Sequence, residues 1–321
     1  MNNICEILGI KYPIIQGGMG NVSNAILTAA VSEAGGLGTL GTGTMKPEEI
    51  EAMIIDVGQR TNKPFAVNIA ISVTPFLQEI IDIIVKHNVP VVSLSAGNPA
   101  PYVSLFKKKG MKVMAVVASV KHAKKAEDAK VDIVIAEGYE AAGINSNDEV
   151  TTFTLIPQIA DHVNIPIIAA GGVGDGRGLL AAFSLGADGV QMGTRFIATK
   201  EAPFHDEYKQ RLLHASETET VIIGRSLKKV RRVLHAPYTT KLLQIERSGM
   251  SLEEYIELTS EDKHVLGAVK GNLEEGFVNS GQVAGLIQSI PSVSELIEGM
   301  ITEAQEQHNR VKHDLFFPIE K

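Results

Sequence analysis

Eight short, nearly uninterrupted apolar runs recur between residues 13 and 192, most of them followed by a longer stretch of helical spacing. They are Pro13–Gln16, Leu37–Leu40, Phe65–Ile69, Val91–Ser95, Val113–Val117, Ile133–Ala136, Ile167–Ala170 and Gly189–Met192. Continuous β-branched runs of this length mark parallel strands buried on both faces. The intervening stretches, such as Pro47–Arg60, Pro75–His87 and Val120–Ala129, read as helices. Eight such units spell a TIM (β/α)8 barrel, with an open doubly wound sheet as the alternative. The strand ends favour the barrel. Gln16-Gly17-Gly18-Met19, Asn68, Ala96-Gly97-Asn98, Glu137-Gly138, Gly171-Gly172 and Gly193-Thr194 follow many different strands. A barrel builds its site from all its C-terminal loops, whereas an open sheet concentrates it at one switch point.

Beyond Phe196 the pattern changes. Residues from about Ala202 to Lys270 are charged and read as helical and strand-free, for example over Ser226–His235 and Leu252–Leu258. The expectation is a helical insertion after the eighth strand, over residues 197–279, covering the mouth of a barrel made by residues 1–196 and 280–321. The last barrel helices are expected at Gln282–Ser289 and Val293–Val311. A length of 321 residues suits one such barrel.

The single cysteine, Cys5, allows neither an internal disulfide nor a cysteine metal cage, which fits a reducing cytoplasm. A formal net charge of −7 gives no general attraction to nucleic acid or anionic membrane. No signal peptide or membrane-spanning run is evident, so a cytoplasmic protein with a small-molecule substrate is expected. A homodimer is one admissible assembly. No His/Asp/Glu grouping has metal-ligand spacing, and His87, His122 and His162 fall in helical runs.

The strongest chemical signal is a pair of glycine-rich turns directly after the seventh and eighth runs. They are Gly171-Gly172-Val173-Gly174-Asp175-Gly176 and Gln191-Met192-Gly193-Thr194-Arg195-Phe196. A phosphate needs open backbone N–H donors and a helix N-terminus, and glycine permits that approach; the bland alternative is two tight turns. Gly36-Leu37-Gly38-Thr39-Leu40-Gly41 matches G-x-G-x-x-G with Asp56 beyond it, but these glycines straddle a strand instead of opening a helix. Asn68 offers a donor and an acceptor to a bound ring, or simply caps its strand. Glu137 could accept from a ligand's hydroxyls, or be solvated on its loop. The basic run Arg225, Lys228, Lys229, Arg231 and Arg232 alternates with Leu227, Val230, Val233 and Leu234, and reads as an amphipathic helix with a solvated face.

As a whole the chain resembles the nitronate monooxygenase (2-nitropropane dioxygenase) family. That FMN-dependent TIM-barrel family includes bacterial NADH:quinone reductases and the type II enoyl-acyl-carrier-protein reductases. The matching stretches are YPIIQGGMG, EAGGLGTLG, KPFAVNI, SAGNP, IAEGYEAAG, IPIIAAGGVGDGRG, GADGVQMGTRF and SGQVAGLI. The resemblance implies FMN, with Gly17, Gly18 and Met19 along the flavin face and Asn68 and Glu137 hydrogen-bonding it. Ala142 and Gly143 would border it, and Gly171, Gly172, Gln191, Met192, Gly193 and Thr194 would cradle its phosphate end. The segment from Arg225 to Glu246 looks nearer to the nitronate monooxygenase and quinone reductase branch, SAGNP and IAEG nearer to the enoyl reductases.

One departure stands out. These families read E-A-G-G-H after the sixth strand, with the His as an acid–base group, and here Glu140-Ala141-Ala142-Gly143-Ile144 puts Ile144 in its place. A lysine of some quinone reductases is likewise replaced by Val116. Oxidation of alkyl nitronates with oxygen tolerates this loss, because a nitronate is already an anion. The alternatives are an NAD(P)H-dependent reductase acting on a quinone or an enoyl-acyl-carrier-protein, a non-catalytic flavin-binding protein, and a flavin-free barrel for a phosphorylated metabolite.

Overall fold

The computed structural model describes residues 3–315, leaving the side chain of Leu315 aside. The apolar runs become strands because alternate residues bury inward and outward within the same segment. The parallel strands are β1 Ile14–Gln16, β2 Gly38–Gly41, β3 Phe65–Ala70, β4 Val91–Ser95, β5 Lys112–Val117 and β6 Ile133–Glu137. After a two-residue strand, β7 Gly143–Ile144, follow β8 Ile167–Ala170 and β9 Gly189–Met192. The sheet runs β1-β9-β8-β6-β5-β4-β3-β2. It closes where Ile15 bridges Leu37 in parallel, with the Gln16 N–H donating to the Leu37 carbonyl at 2.9 Å. The Gln16 amide completes the seam. Its Nε2 donates to the Thr39 carbonyl at 3.0 Å and its Oε1 accepts from the Thr39 N–H at 3.0 Å. The eight expected strands are therefore the eight of a closed barrel, within a residue or two at each end.

Two apolar layers hold the barrel. Inside it, Ile15, Leu37, Ala66, Val91, Met114, Ile133, Ile135 and Ile168 pack together, and Ile4 and Leu8 of an N-terminal helix, Asn3–Leu8, join them. Outside it, the strands' other faces meet the surrounding helices. The long C-terminal helix Val293–Leu315 crosses the helix Gly176–Ser184 so closely that a Cβ on Gly176 would lie 2.5 Å from the Met300 carbonyl oxygen. Residues 282–286 form a short 3-10 turn in place of the helix expected over Gln282–Ser289.

The inserted segment differs from the sequence expectation. It does contain helices, at Asp206–Leu213, Pro237–Arg247, Leu252–Leu258 and Glu261–Ala268. It is not strand-free. Strands β10 Thr220–Ile223 and β11 Arg231–Leu234 form an antiparallel hairpin, and β11 pairs with β7 through Arg231↔Ile144 and Arg232↔Gly143. The helix read over Ser226–His235 cannot form because the chain turns there, with Gly224 at φ +76° and Lys228 at φ +54°. Its helical spacing came from a turn lying between two apolar strands. The basic face divides accordingly: Lys228 and Lys229 are exposed, whereas Arg231 and Arg232 are buried. Among the described residues no helix is long and apolar enough to cross a membrane.

Candidate functional site

A cavity of about 1110 Å³ opens at the C-terminal ends of the barrel strands. Gly17, Gly18, Met19, Asn68, Glu137, Ala142, Gly143, Gly171, Gly172, Gln191, Met192, Gly193 and Thr194 all line it, and so do Val116 and Ile144. Residues from six barrel strands and their loops thus converge on one space. Asp56 stays out on its helix, ion-paired with Arg60, so the glycine pattern at 36–41 serves the barrel wall.

The loop after β1 forms the floor. A Cβ on Gly18 would stand 2.8 Å from the Asn68 Cβ, so only glycine lets this loop lie against β3. Asn68 is oriented by β4: its Nδ2 donates to the Ser93 carbonyl at 3.3 Å and to Ser95 Oγ at 3.2 Å. Glu137 lies deep within the protein's bulk, yet part of it opens on the cavity and no described residue donates to it. Burial pushes its carboxyl up to about 7.

The two glycine turns present their donors differently from the sequence expectation. The helix Gly176–Ser184 has no free N-terminus, because Glu303 accepts from the Gly176 N–H at 2.7 Å and Asp175 from the Gly178 N–H at 2.9 Å. The free donors lie nearer the strands. The N–H groups of Gly171, Gly172 and Gly193 donate to no group among the described residues. Gly171 has φ +86°, and a Cβ there would meet the Ala141 nitrogen at 2.9 Å, so it is required by the chain itself. A Cβ on Gly193 would meet nothing within 4 Å. The Gly281 N–H donates to Thr194 Oγ1 at 2.9 Å, which ties the returning chain to this end of the cavity. Open N–H donors, a partnerless carboxyl and a glycine floor fit a flat polar cofactor with a phosphate at one end.

A further part of the lining was not foreseen. Arg231 from β11, Glu261 and His264 from the helix Glu261–Ala268, and Asn279 beyond it line the same cavity. Nothing local to the sequence marks these residues as a group. The one available signal was the i,i+3 spacing of Glu261 and His264, which places both on one helix face. Ile144 is 53% exposed and faces Arg231 across the β7–β11 pair. Among the described residues no group of His, Cys, Asp or Glu could hold a metal ion.

A closed eight-stranded parallel barrel with its cavity at the C-terminal ends of the strands is a TIM barrel. The nitronate monooxygenase family matches residues 2–79 and 71–303 of this chain. The chain belongs to that flavin-dependent family of oxidoreductases. It is 34% identical to the (3aS,4S,5R,7aS)-5-hydroxy-7a-methyl-1-oxo-octahydro-1H-indene-4-carboxyl-CoA dehydrogenase of Mycobacterium tuberculosis, covering 94% of this chain and 95% of that one. It is 32% identical to a probable nitronate monooxygenase of Staphylococcus saprophyticus, over 96% and 98% of the two chains. Among solved structures, FabK from Thermotoga maritima superposes with a TM-score of 0.91 at 41% identity, over 98% and 99% of the chains.

Proposed function

We propose that this protein is an FMN-dependent oxidoreductase that oxidises alkyl nitronates with oxygen. The observation that carries the cofactor is the convergence of the Gly171, Gly172 and Gly193 donors, the Gly17–Gly18 floor, Asn68 and the partnerless Glu137 on one cavity. Bound FMN supplies two-electron acceptor chemistry and reactivity with oxygen. The chain's own residues bind and orient. The two glycine turns would hold the phosphate, Glu137 would accept from the ribityl hydroxyls, and Asn68, already fixed by Ser93 and Ser95, would meet the ring. Residues 197–279 would cover the mouth and exclude water. With Ile144 where the family places its His, the β7 loop offers no proton acceptor, so a substrate that arrives as an anion suits it best.

The cavity volume favours a second reading. About 1110 Å³ lies at or beyond the usual range for a single small-molecule pocket. The lining continues past β4 and β5 to Asn98, Pro99 and His122, which leaves room for a substrate much longer than a nitroalkane. On this reading NAD(P)H is the electron donor and the acceptor is a quinone or an enoyl thioester. Anaerobic mixing with NADH separates the two: rapid flavin bleaching supports the reductase, whereas bleaching only by a nitronate supports the nitronate oxidation. A protein that acquires no flavin would overturn both.

A further inference from the structure

We propose that Arg231, His264 and Asn279 form a subsite that binds a planar oxyanion of the substrate, such as a carboxylate or a nitronate. The proposal deepens the oxidoreductase reading and concerns the part of the cavity lining that the inserted segment supplies.

Topology brings the three together. Arg231 pairs directly with Ile144 in β7, and Val233 bridges Asn279. Directly paired and i,i+2 residues of an antiparallel ladder share a face, so Arg231 and Asn279 emerge on the side that carries Ile144. His264 comes to the same place from the neighbouring helix. Its ring stacks on Phe277 with centroids 5.4 Å apart, and the Arg231 guanidinium lies 5.1 Å from the same ring. The Asn279 Nδ2 lies 3.4 Å from both imidazole nitrogens, and its main-chain oxygen accepts from the Tyr208 hydroxyl.

The charges in this cluster do not close on themselves. Glu261 is its only carboxylate, 3.4 Å from Arg231 and 3.7 Å from His264. Burial alone would raise the Glu261 carboxyl, but its hydrogen bond and charge interaction with His264, the Arg231 charge and the Asn21 N–H together hold it at about 2. It is therefore ionised throughout the working pH range. One carboxylate thus faces both the Arg231 guanidinium and the His264 imidazole. Lys263, next along the helix, is engaged at the Tyr238 ring instead.

Hydrogen bonding is incomplete as well. Arg231 Nε and Nη1 and Asn279 Oδ1 are buried with no hydrogen-bond partner of good geometry, although a weaker contact from Arg231 reaches the Tyr255 hydroxyl. The oxygen and nitrogen of an Asn amide can exchange places, so Asn279 can present either a donor or an acceptor here. Buried polar groups without partners are costly, and planar donors of this kind match the two oxygens of a carboxylate or nitronate. A neutral ligand can accept a hydrogen bond here but brings no charge to balance the guanidinium and only one strong acceptor oxygen.

Isobutyrate tests the subsite, because it has the shape of propane-2-nitronate and is a stable anion. Its binding is measured by calorimetry on the purified protein, with isobutyramide as the neutral control and flavin content recorded for each sample. The expected result is a preference for isobutyrate of about tenfold or more, reduced by at least that factor in both His264→Gln and Arg231→Gln. Asn279→Ala should weaken binding less. If Arg231→Gln fails to fold, His264→Gln and Asn279→Ala decide. Equal affinity for the two probes, or unchanged isobutyrate affinity in folded His264→Gln and Asn279→Ala, would reduce the cluster to a structural ion pair. A colourless protein that still prefers isobutyrate would retain this subsite and overturn the cofactor; a yellow one that binds neither probe would do the reverse.

Discussion

With its carboxyl pushed up to about 7 by burial, Glu137 sits above the usual 4.5. The unfolded chain therefore releases this proton first, and the folded state binds more protons between pH 4.5 and 7. Stability falls as pH rises through that window. The cost is at most about 3 kcal/mol, since each pK unit is worth about 1.4 kcal/mol and the cavity-facing surface softens the burial. Denaturant unfolding of flavin-stripped protein at pH 5 and pH 8 should show Glu137→Gln gaining on the parent by up to that amount at the higher pH. An unchanged difference would mean that Glu137 already has a donor. Gly171 and Gly193 separate into two kinds of residue, although the sequence treats them alike as phosphate-facing. Gly193→Val adds bulk only to open space, so the variant should fold with its parent's melting temperature and lose flavin absorbance. Gly171→Val strains a left-handed backbone against Ala141 and should lose stability as well as flavin. Ile144 is exposed, so Ile144→His should leave stability nearly unchanged. If it restores a proton acceptor, turnover of a neutral nitroalkane should rise more than that of its preformed nitronate, within the roughly 10²–10⁴-fold typical of a positioned base. Equal effects on both substrate forms would refute the proton-transfer reading.

At the scale of elements, the barrel was legible because a strand buried on both faces needs a continuous apolar run, and all eight appear as one. The seam between β1 and β2 was not, since it rests on a side chain. Gln16 supplies the ladder bonds that only one backbone bridge otherwise provides. Gln16→Leu keeps the volume and leaves the Thr39 N–H and carbonyl unpaired, at about 1–3 kcal/mol for each group. Urea unfolding should show a loss of about 2–4 kcal/mol, and a loss under 1 would mean that the seam is held elsewhere. The β10–β11 hairpin was misread for a related reason. Its third strand, β7, lies far upstream and is two residues long, so no window of sequence contains both partners. Leu227, Val230, Val233 and Leu234 fit a helical stripe, but the left-handed Gly224 and Lys228 turn the chain between β10 and β11. The glycine turns were found because their chemistry is local to each strand end, while the wall of Arg231, His264 and Asn279 was missed because tertiary pairing alone assembles it.

At the scale of the molecule, fold and site share one logic. The barrel gathers glycine turns and polar side chains from many strand ends, and the inserted hairpin and helices bring charged groups to the same cavity. Family membership accounts for the barrel and the oxidoreductase class; the proposed oxyanion subsite rests on Arg231, His264 and Asn279 of the inserted segment, beside Ile144 of β7. The proposed chemistry requires FMN to occupy this cavity. The most direct test is the identity and amount of cofactor released on denaturing the purified protein, after incubation with both FMN and FAD. The expected result is one FMN per chain and no FAD, because the glycine turns would offer a single phosphate cradle. Bound FAD, or a folded protein that takes up neither, would contradict it.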